Sequence, residues 1–280
     1  MEQKRLEHLA DFACQLREDC IRMTNNGRSG HIGSMASMAE IITTLYNGVL
    51  NVSKEDPKNP DRDRFILSKG HAGAGVYSAL CQLGYFPREW LMTYYRDNGK
   101  LMGHISHHVP GVEFSTGSLG HGLPVAAGMA LDAKIKNKKH RVYCLMSDGD
   151  MNEGSAWEAI MFAGQRRLDR LVGMIDYNRV QALGRSEDIA NLEPLDQKLR
   201  LWGWNAYYVD GHDFEAIEKG FADIPDNGKP TMIIFRTIKA RGIPWLEDTV
   251  KSHYGFIPDD KIEEAIAGCR AFCEKTKKGE

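Results

Sequence analysis

Two apolar runs, residues 141–147 (RVYCLMS) and 171–176 (LVGMID), constrain this chain most. Neither alternates polar with apolar residues, so each reads as a strand buried on both faces. Residues 155–166 between them carry a helical pattern. Continuous apolar strands joined through a helix belong to a parallel sheet covered on both sides. Residues 65–67 read as a short strand upstream, and 205–209 and 231–237 as two more downstream, with a helix over 214–223 between them. The expected fold is α/β: a doubly wound, mostly parallel sheet with helices on both faces. No stretch has linker composition, so residues 1–280 are expected to form one domain with a helical N-terminal region and a charged C-terminal helix over 262–278.

The N-terminal region follows from local pattern. Leu6, Leu9, Ala13, Leu16 and Cys20 form a helical stripe, so the first residues predict a packed helix and not a signal peptide. Ser37 with Glu40 three residues later predicts a capping box opening a helix to about residue 49. Helices are expected over 74–83 and 87–97, an irregular stretch over 101–117, and a helix from about residue 119 with Pro124 in its first turn.

Lys and Arg number 36 against 38 Asp and Glu, a net charge of −2 that leaves no basic surface for nucleic acid or membrane. No apolar run is long enough to span a bilayer. None of the six cysteines forms a C-x-x-C pair, and they are read as reduced core residues of a cytoplasmic protein; Cys269 and Cys273 lie one helical turn apart.

The chemistry concentrates where strands end. Asp148-Gly149 follows the first long apolar run and Asn178 follows the second. Ligands of open parallel sheets bind beyond the carboxyl ends of the strands, and a right-handed crossover brings such positions together. A carboxylate, an amide oxygen and a nearby backbone carbonyl are hard ligands, suited to Mg²⁺ or Ca²⁺ and poor for zinc. Three protein oxygens leave room on an octahedral ion for diphosphate oxygens and water. The turn from Gly149 to Gly154 opens a helix, whose N-terminal amides favour an anion.

The run Asp148-Gly-Asp-Met-Asn-Glu153-Gly154, followed by Asp176-Tyr-Asn178, resembles the thiamine diphosphate motif, with Ser147 in place of the usual first glycine. Glu153-Gly154 at this offset is similar to the transketolase version. Four more segments resemble transketolases in the same order: Ser29-Gly-His31-Ile-Gly33, Ser68-Lys-Gly-His71, Gly103-His104 followed by Pro110-Gly-Val-Glu113, and Lys251-Ser-His253-Tyr-Gly255. Gly117-Ser118-Leu119-Gly-His-Gly122 resembles the family loop that meets the cofactor rings, except that His121 stands where glutamine is usual.

The resemblance implies a thiamine diphosphate-binding fold in its diphosphate domain, and a transketolase that moves a two-carbon ketol unit from a ketose to an aldose. It implies Asp148 and Asn178 as side-chain ligands of Mg²⁺ or Ca²⁺, and Val180 as a ligand through its carbonyl. Gly149, Gly117, Ser118, Leu119, His71 and His253 would line the cofactor. Glu153 would lie at a subunit contact linked to the neighbour's cofactor-activating glutamate; alternatively it is a solvated acid favoured by the helix dipole. His31, His71, His104 and His253 would handle protons and substrate oxygens. His107 and His108 have no counterpart and read as loop-surface residues. No second α/β unit follows residue 237, so the resemblance also implies a separate β subunit carrying the pyrimidine-binding domain, in an α₂β₂ assembly. Two alternatives remain in view: the α subunit of a 2-oxo acid dehydrogenase, against which the ordered histidines argue, and a non-catalytic cofactor-binding protein. The donor sugar stays open between a common sugar phosphate and an unusual branched or sulfonated sugar.

Overall fold

A computed structural model describes residues 1–279. In chain order its elements are α1 (Gln3–Gly27), α2 (Ile32–Ser37), α3 (Ala39–Thr44), β1 (Arg64–Leu67), α4 (Gly73–Gln82), α5 (Gly122–Ile135), β2 (Val142–Ser147), α6 (Gly154–Arg166) and β3 (Leu171–Tyr177). They continue with α7 (Ser186–Ala190), α8 (Leu195–Leu201), β4 (Asn205–Asp210), α9 (Phe214–Ala222), β5 (Thr231–Arg236) and α10 (Ile262–Lys278). The strands form one wholly parallel sheet in the order β1-β2-β3-β5-β4.

Strand side chains alternate between two apolar layers. Tyr143, Leu145, Val172, Met174, Ile233 and Phe235 join a core with the helices α1 to α4, α9 and α10. Val142, Cys144, Met146, Ile175, Met232 and Ile234 join a second core with α5, α6 and α8. Every residue of β2 and β3 is buried, which is why neither strand needs polar alternation. The expected doubly wound α/β sheet is therefore present. No helix among the described residues is long and apolar enough to cross a membrane.

Three local expectations need correction. There is no capping box at Ser37. Its hydroxyl donates to Asp176 (2.5 Å) and to the Ser34 carbonyl, and the Glu40 carboxylate receives the buried Arg17 guanidinium at 2.6 and 2.8 Å. Tertiary partners outcompete the local cap, and the chain makes two short helices and a π-turn (Leu45–Val49) instead of one long helix. The helix expected over 87–97 shrinks to a 3₁₀ segment, Arg88–Thr93, because the chain turns at Tyr95 with φ +56°. The helix expected from residue 119 starts at Gly122, since Gly120 has φ +76°. All six cysteines are buried and unpaired.

Candidate functional site

Four strands deliver their following residues to one edge of the sheet. Leu67 of β1 leads into Ser68–His71, β2 into Asp148, β3 into Asn178, and β5 into Thr237 and Lys239. Two distant segments, 29–34 and 252–254, close over that edge. The His31 N–H donates to the His253 carbonyl at 2.6 Å, and the Ala240 N–H to the Gly33 carbonyl at 3.0 Å. A side chain on Gly33 would meet Ser252 at 2.6 Å, and one on Gly70 would meet the Thr116 carbonyl at 2.2 Å, so both approaches depend on glycine.

Beneath the site lies a buried polar frame. Asp176, at the end of β3, accepts from Ser37, from Lys69 and Thr237 in very short contacts, and from the Asn178 amide at 3.3 Å. Burial pushes its pKa up, but the Lys69 ammonium and the hydroxyl donors outweigh that and hold it below the ordinary value. Asp150 is equally connected. One oxygen accepts from Ser68 (2.6 Å) and from the Gly120 N–H (2.8 Å); the other accepts from the Ser147 N–H (2.8 Å) and hydroxyl (2.9 Å). This one carboxylate ties the ends of β1 and β2 to the 117–122 loop. Sequence reasoning assigned neither aspartate a role. The signal that could have found them is an acid closing, or just beyond, a run otherwise free of charge.

Asp148 and Asn178 lie in this buried layer, 2% and 5% exposed. Asp148 accepts from the Gly149 N–H at 3.1 Å and, in a very short contact, from the Ser186 hydroxyl. Burial raises its pKa above the ordinary 3.8, with the Asp176 charge adding to the effect and Ser186 and Lys239 opposing it. The Asn178 amide oxygen accepts the Val180 N–H at 3.1 Å. The Val180 carbonyl accepts the Lys239 ammonium at 2.5 Å, and the same ammonium lies 2.9 Å from Nδ1 of His253. Burial lowers the Lys239 pKa to about 8, with Asp148 and Asp176 resisting. The desolvated Asp148 carboxylate and the Val180 carbonyl are hard oxygen donors, and the carbonyl is taken here by the Lys239 ammonium, which a bound metal would have to displace. The donors are one carboxylate, one amide and one carbonyl, and among the described residues no cluster of three His, Cys, Asp or Glu side chains is arranged for a metal. That composition fits Mg²⁺ or Ca²⁺ and is poor for zinc.

The four histidines singled out in the sequence meet here. The His31 ring lies 4.8 Å from His71, 5.1 Å from His253 and 6.2 Å from His104, centroid to centroid, and His71 lies 5.7 Å from His253. His71 Nε2 is 3.3 Å from the Ser34 hydroxyl. Burial lowers all four pKa values: His31 to about 4, with His104 and Lys239 contributing, and His253 to about 3, with Lys239 and His31 contributing. The cluster is therefore neutral at physiological pH and able to accept a proton or to donate one N–H.

The rest of the expected set falls on the rim. A side chain on Gly117 would touch the His104 ring at 3.6 Å, and one on Gly149 would touch Leu119 at 3.4 Å, so this loop bridges the histidines and the Asp148 turn. Ser118 is exposed, as is Glu153 at the start of α6, where its side chain caps nothing. His107 and His108 lie against each other with tilted rings 4.2 Å apart, away from the cluster, and Glu113 pairs with Arg62 and Arg64. The Lys239 segment itself is held from behind. His212 accepts the Ile238 N–H at Nε2 (2.8 Å) and faces Glu40 at 2.9 Å, while Arg17 donates to the Arg241 carbonyl at 3.0 Å.

The arrangement has relatives. The family description "Transketolase, thiamine diphosphate binding domain" matches residues 9–269. One of the named subunits of the apulose-4-phosphate transketolase from Actinobacillus succinogenes is 40% identical over 251 residues, covering 89% of this chain and 91% of that protein. The 6-deoxy-6-sulfo-D-fructose transketolase subunit SqwG of a Clostridium species is 38% identical over 240 residues, 85% of this chain and 87% of that one. The transketolase of Campylobacter jejuni superposes with a TM-score of 0.86 at 30% identity over 99% of this chain, which spans 47% of that chain's length. A Leishmania mexicana transketolase superposes at 0.85 with 27% identity, again with this chain spanning under half of it, 45%.

Proposed function

We propose, starting from the fact that this chain belongs to the transketolase family and carries its thiamine diphosphate-binding domain, that it is the diphosphate-binding subunit of a two-chain transketolase. The reaction is transfer of a two-carbon ketol unit from a ketose or ketose phosphate to an aldose. The partner is a separate β chain with the pyrimidine-binding domain, in an α₂β₂ enzyme. One fact supports the split: a relative that is itself named as a subunit of a transketolase is matched over 91% of its length. Six buried, unpaired cysteines suit a reducing cytoplasm.

The observation that carries the reading is the juxtaposition of four neutral histidines with the oxygens of Asp148, Asn178 and Val180 at one sheet edge. In this reading those three residues hold Mg²⁺, and the Gly149 turn with the α6 N-terminus receives the diphosphate. Leu119, with Gly117 and Ser118, lines the rings. Glu153, exposed and uncapped, reaches toward the partner chain. When bound, thiamine diphosphate supplies a carbon nucleophile and an electron sink for breaking the ketose carbon–carbon bond. The chain's own part is proton handling. His31 and His253 face the oxygen of the reacting carbonyl, His104 the terminal hydroxyl of the donor, and His71 with His253 the diphosphate side. Because burial keeps these imidazoles uncharged, each can take a sugar hydroxyl proton without first losing one, and return it as the imidazolium.

The test is assembly with a candidate β chain that carries a pyrimidine-binding domain, followed by a ketol-transfer assay and calorimetric titration of thiamine diphosphate with Mg²⁺. The chain alone binds cofactor weakly and transfers nothing, and the pair turns over. Asp148→Ala abolishes metal-dependent binding. Full turnover by the isolated chain, or equal binding by Asp148→Ala, refutes the assignment.

A further inference from the structure

The 252–259 segment is fastened to the protein along its backbone. His253 receives the His31 N–H, and the Asn25 amide donates to the Ile257 carbonyl (2.9 Å) and to Asp259 (2.7 Å). Arg28 pairs with Asp259 at 2.8 Å. A side chain on Gly30 would collide with the Tyr254 main chain at 2.7 Å, so two backbones are pressed together there. In the midst of these clamps the Tyr254 side chain remains 68% exposed. It is not loose on the surface, because its ring stands edge-on to His253 (4.7 Å) and to His31 (5.5 Å).

A large aromatic ring held by a fixed backbone, mostly in solvent yet touching two site histidines, wants a third neighbour. We propose that Tyr254 is a specificity-determining residue whose ring contacts the carbon chain of the sugar beyond the unit transferred. This rests on the transketolase reading above. The chemistry favours the carbon–hydroxyl part of the substrate over its phosphate. A ring face and a phenol match alternating C–H and O–H groups. Arg28 on this rim is already engaged by Asp259 and by the Phe256 ring at 5.4 Å, while Lys251, three residues before the ring, is exposed. His31 and His253 face the reacting carbonyl, so a ring beside both lies along the next carbons.

The experiment uses the assembled two-chain enzyme with thiamine diphosphate and Mg²⁺. It measures kcat and KM for xylulose 5-phosphate and fructose 6-phosphate, donors that differ by one hydroxymethylene unit past the broken bond. Tyr254→Ala raises KM by about three- to tenfold, leaves kcat within about twofold, and changes the ratio of kcat/KM between the donors; Tyr254→Phe keeps most of the wild-type selectivity. An unchanged ratio overturns the proposal. So does a loss that appears instead as weaker association with the β chain in sedimentation, which would make Tyr254 a contact between chains. If the wild-type pair transfers from neither donor, the functional reading has failed for these sugars. Tyr254 is then judged by tetranitromethane nitration and peptide mapping: protection by either ketose phosphate sustains the sugar contact, and no protection by either overturns it.

Discussion

Glu40 offers the most quantitative test of how this site is supported. It is fully buried, takes two hydrogen bonds from Arg17 at 2.6 and 2.8 Å, and faces His212 Nδ1 at 2.9 Å. Burial opposes its charge, but Arg17 and His212 outweigh burial and lower its pKa from 4.5 to about 2. At roughly 1.4 kcal/mol per pH unit, that difference is worth about 3 kcal/mol of folding stability. Between pH 4.5 and 2 the unfolded chain binds the proton and the folded chain does not, so the contribution is complete above 4.5 and is lost as pH falls toward 2. Glu40→Gln keeps the shape and removes the charge. It leaves Arg17, 2% exposed, without its counter-ion, a defect of about 3–5 kcal/mol. Urea unfolding followed by tryptophan fluorescence from pH 7.5 to 3 reads both effects. The variant loses at least about 3 kcal/mol at neutral pH, and its stability falls less steeply than wild type below pH 4.5. A loss under about 1 kcal/mol at pH 7.5, with identical acid limbs, refutes the argument. Because His212 fixes the Ile238 N–H, the variant also weakens thiamine diphosphate binding, although Glu40 is no ligand.

Further predictions concern the histidines, the frame and the close approaches. In NMR titration His31 and His253 stay neutral above pH 5, since their folded pKa values are about 4 and 3; they draw stability down as pH falls below 6.5, where the unfolded histidines protonate first. Asp176→Asn strands the fully buried Lys69 ammonium, lowers stability by about 3–5 kcal/mol in thermal unfolding, and is partly rescued by Lys69→Met. Gly70→Ala places a methyl 2.2 Å from the Thr116 carbonyl and lowers stability by about 1–3 kcal/mol, measured by denaturant midpoint. The six buried thiols react with a disulfide reagent slowly in the native state and together in denaturant.

Much of this was legible in sequence for reasons of local physics. Apolar continuity over β2 and β3 announced a doubly covered parallel sheet, and strand ends marked where ligands gather, so Asp148 and Asn178 could be singled out without coordinates. Helices α4, α6, α9 and α10 followed from periodicity to within a residue or so. The capping box at Ser37 failed because a local pattern cannot see Arg17 and Asp176, which recruit Glu40 and Ser37 from far along the chain. The helices α7 and α8 were missed; α7 has only five residues, too short for a periodic signal.

The sequence by itself determined the sheet, the kinds of oxygen at its edge and the presence of histidines in glycine-rich loops, because each depends on residues a few positions apart. Only the tertiary structure decided that His31, His71, His104 and His253, spread over more than two hundred residues, share one wall. It alone decided that Asp176 and Asp150 hold the frame, that Glu113, His107 and His108 lie outside the site, and that the Tyr254 ring touches His31 and His253. The physical reason is that burial and pairing are properties of distant contacts. A buried charge is stable only when the fold brings its counter-charge, and an imidazole is held neutral only when its neighbours exclude water.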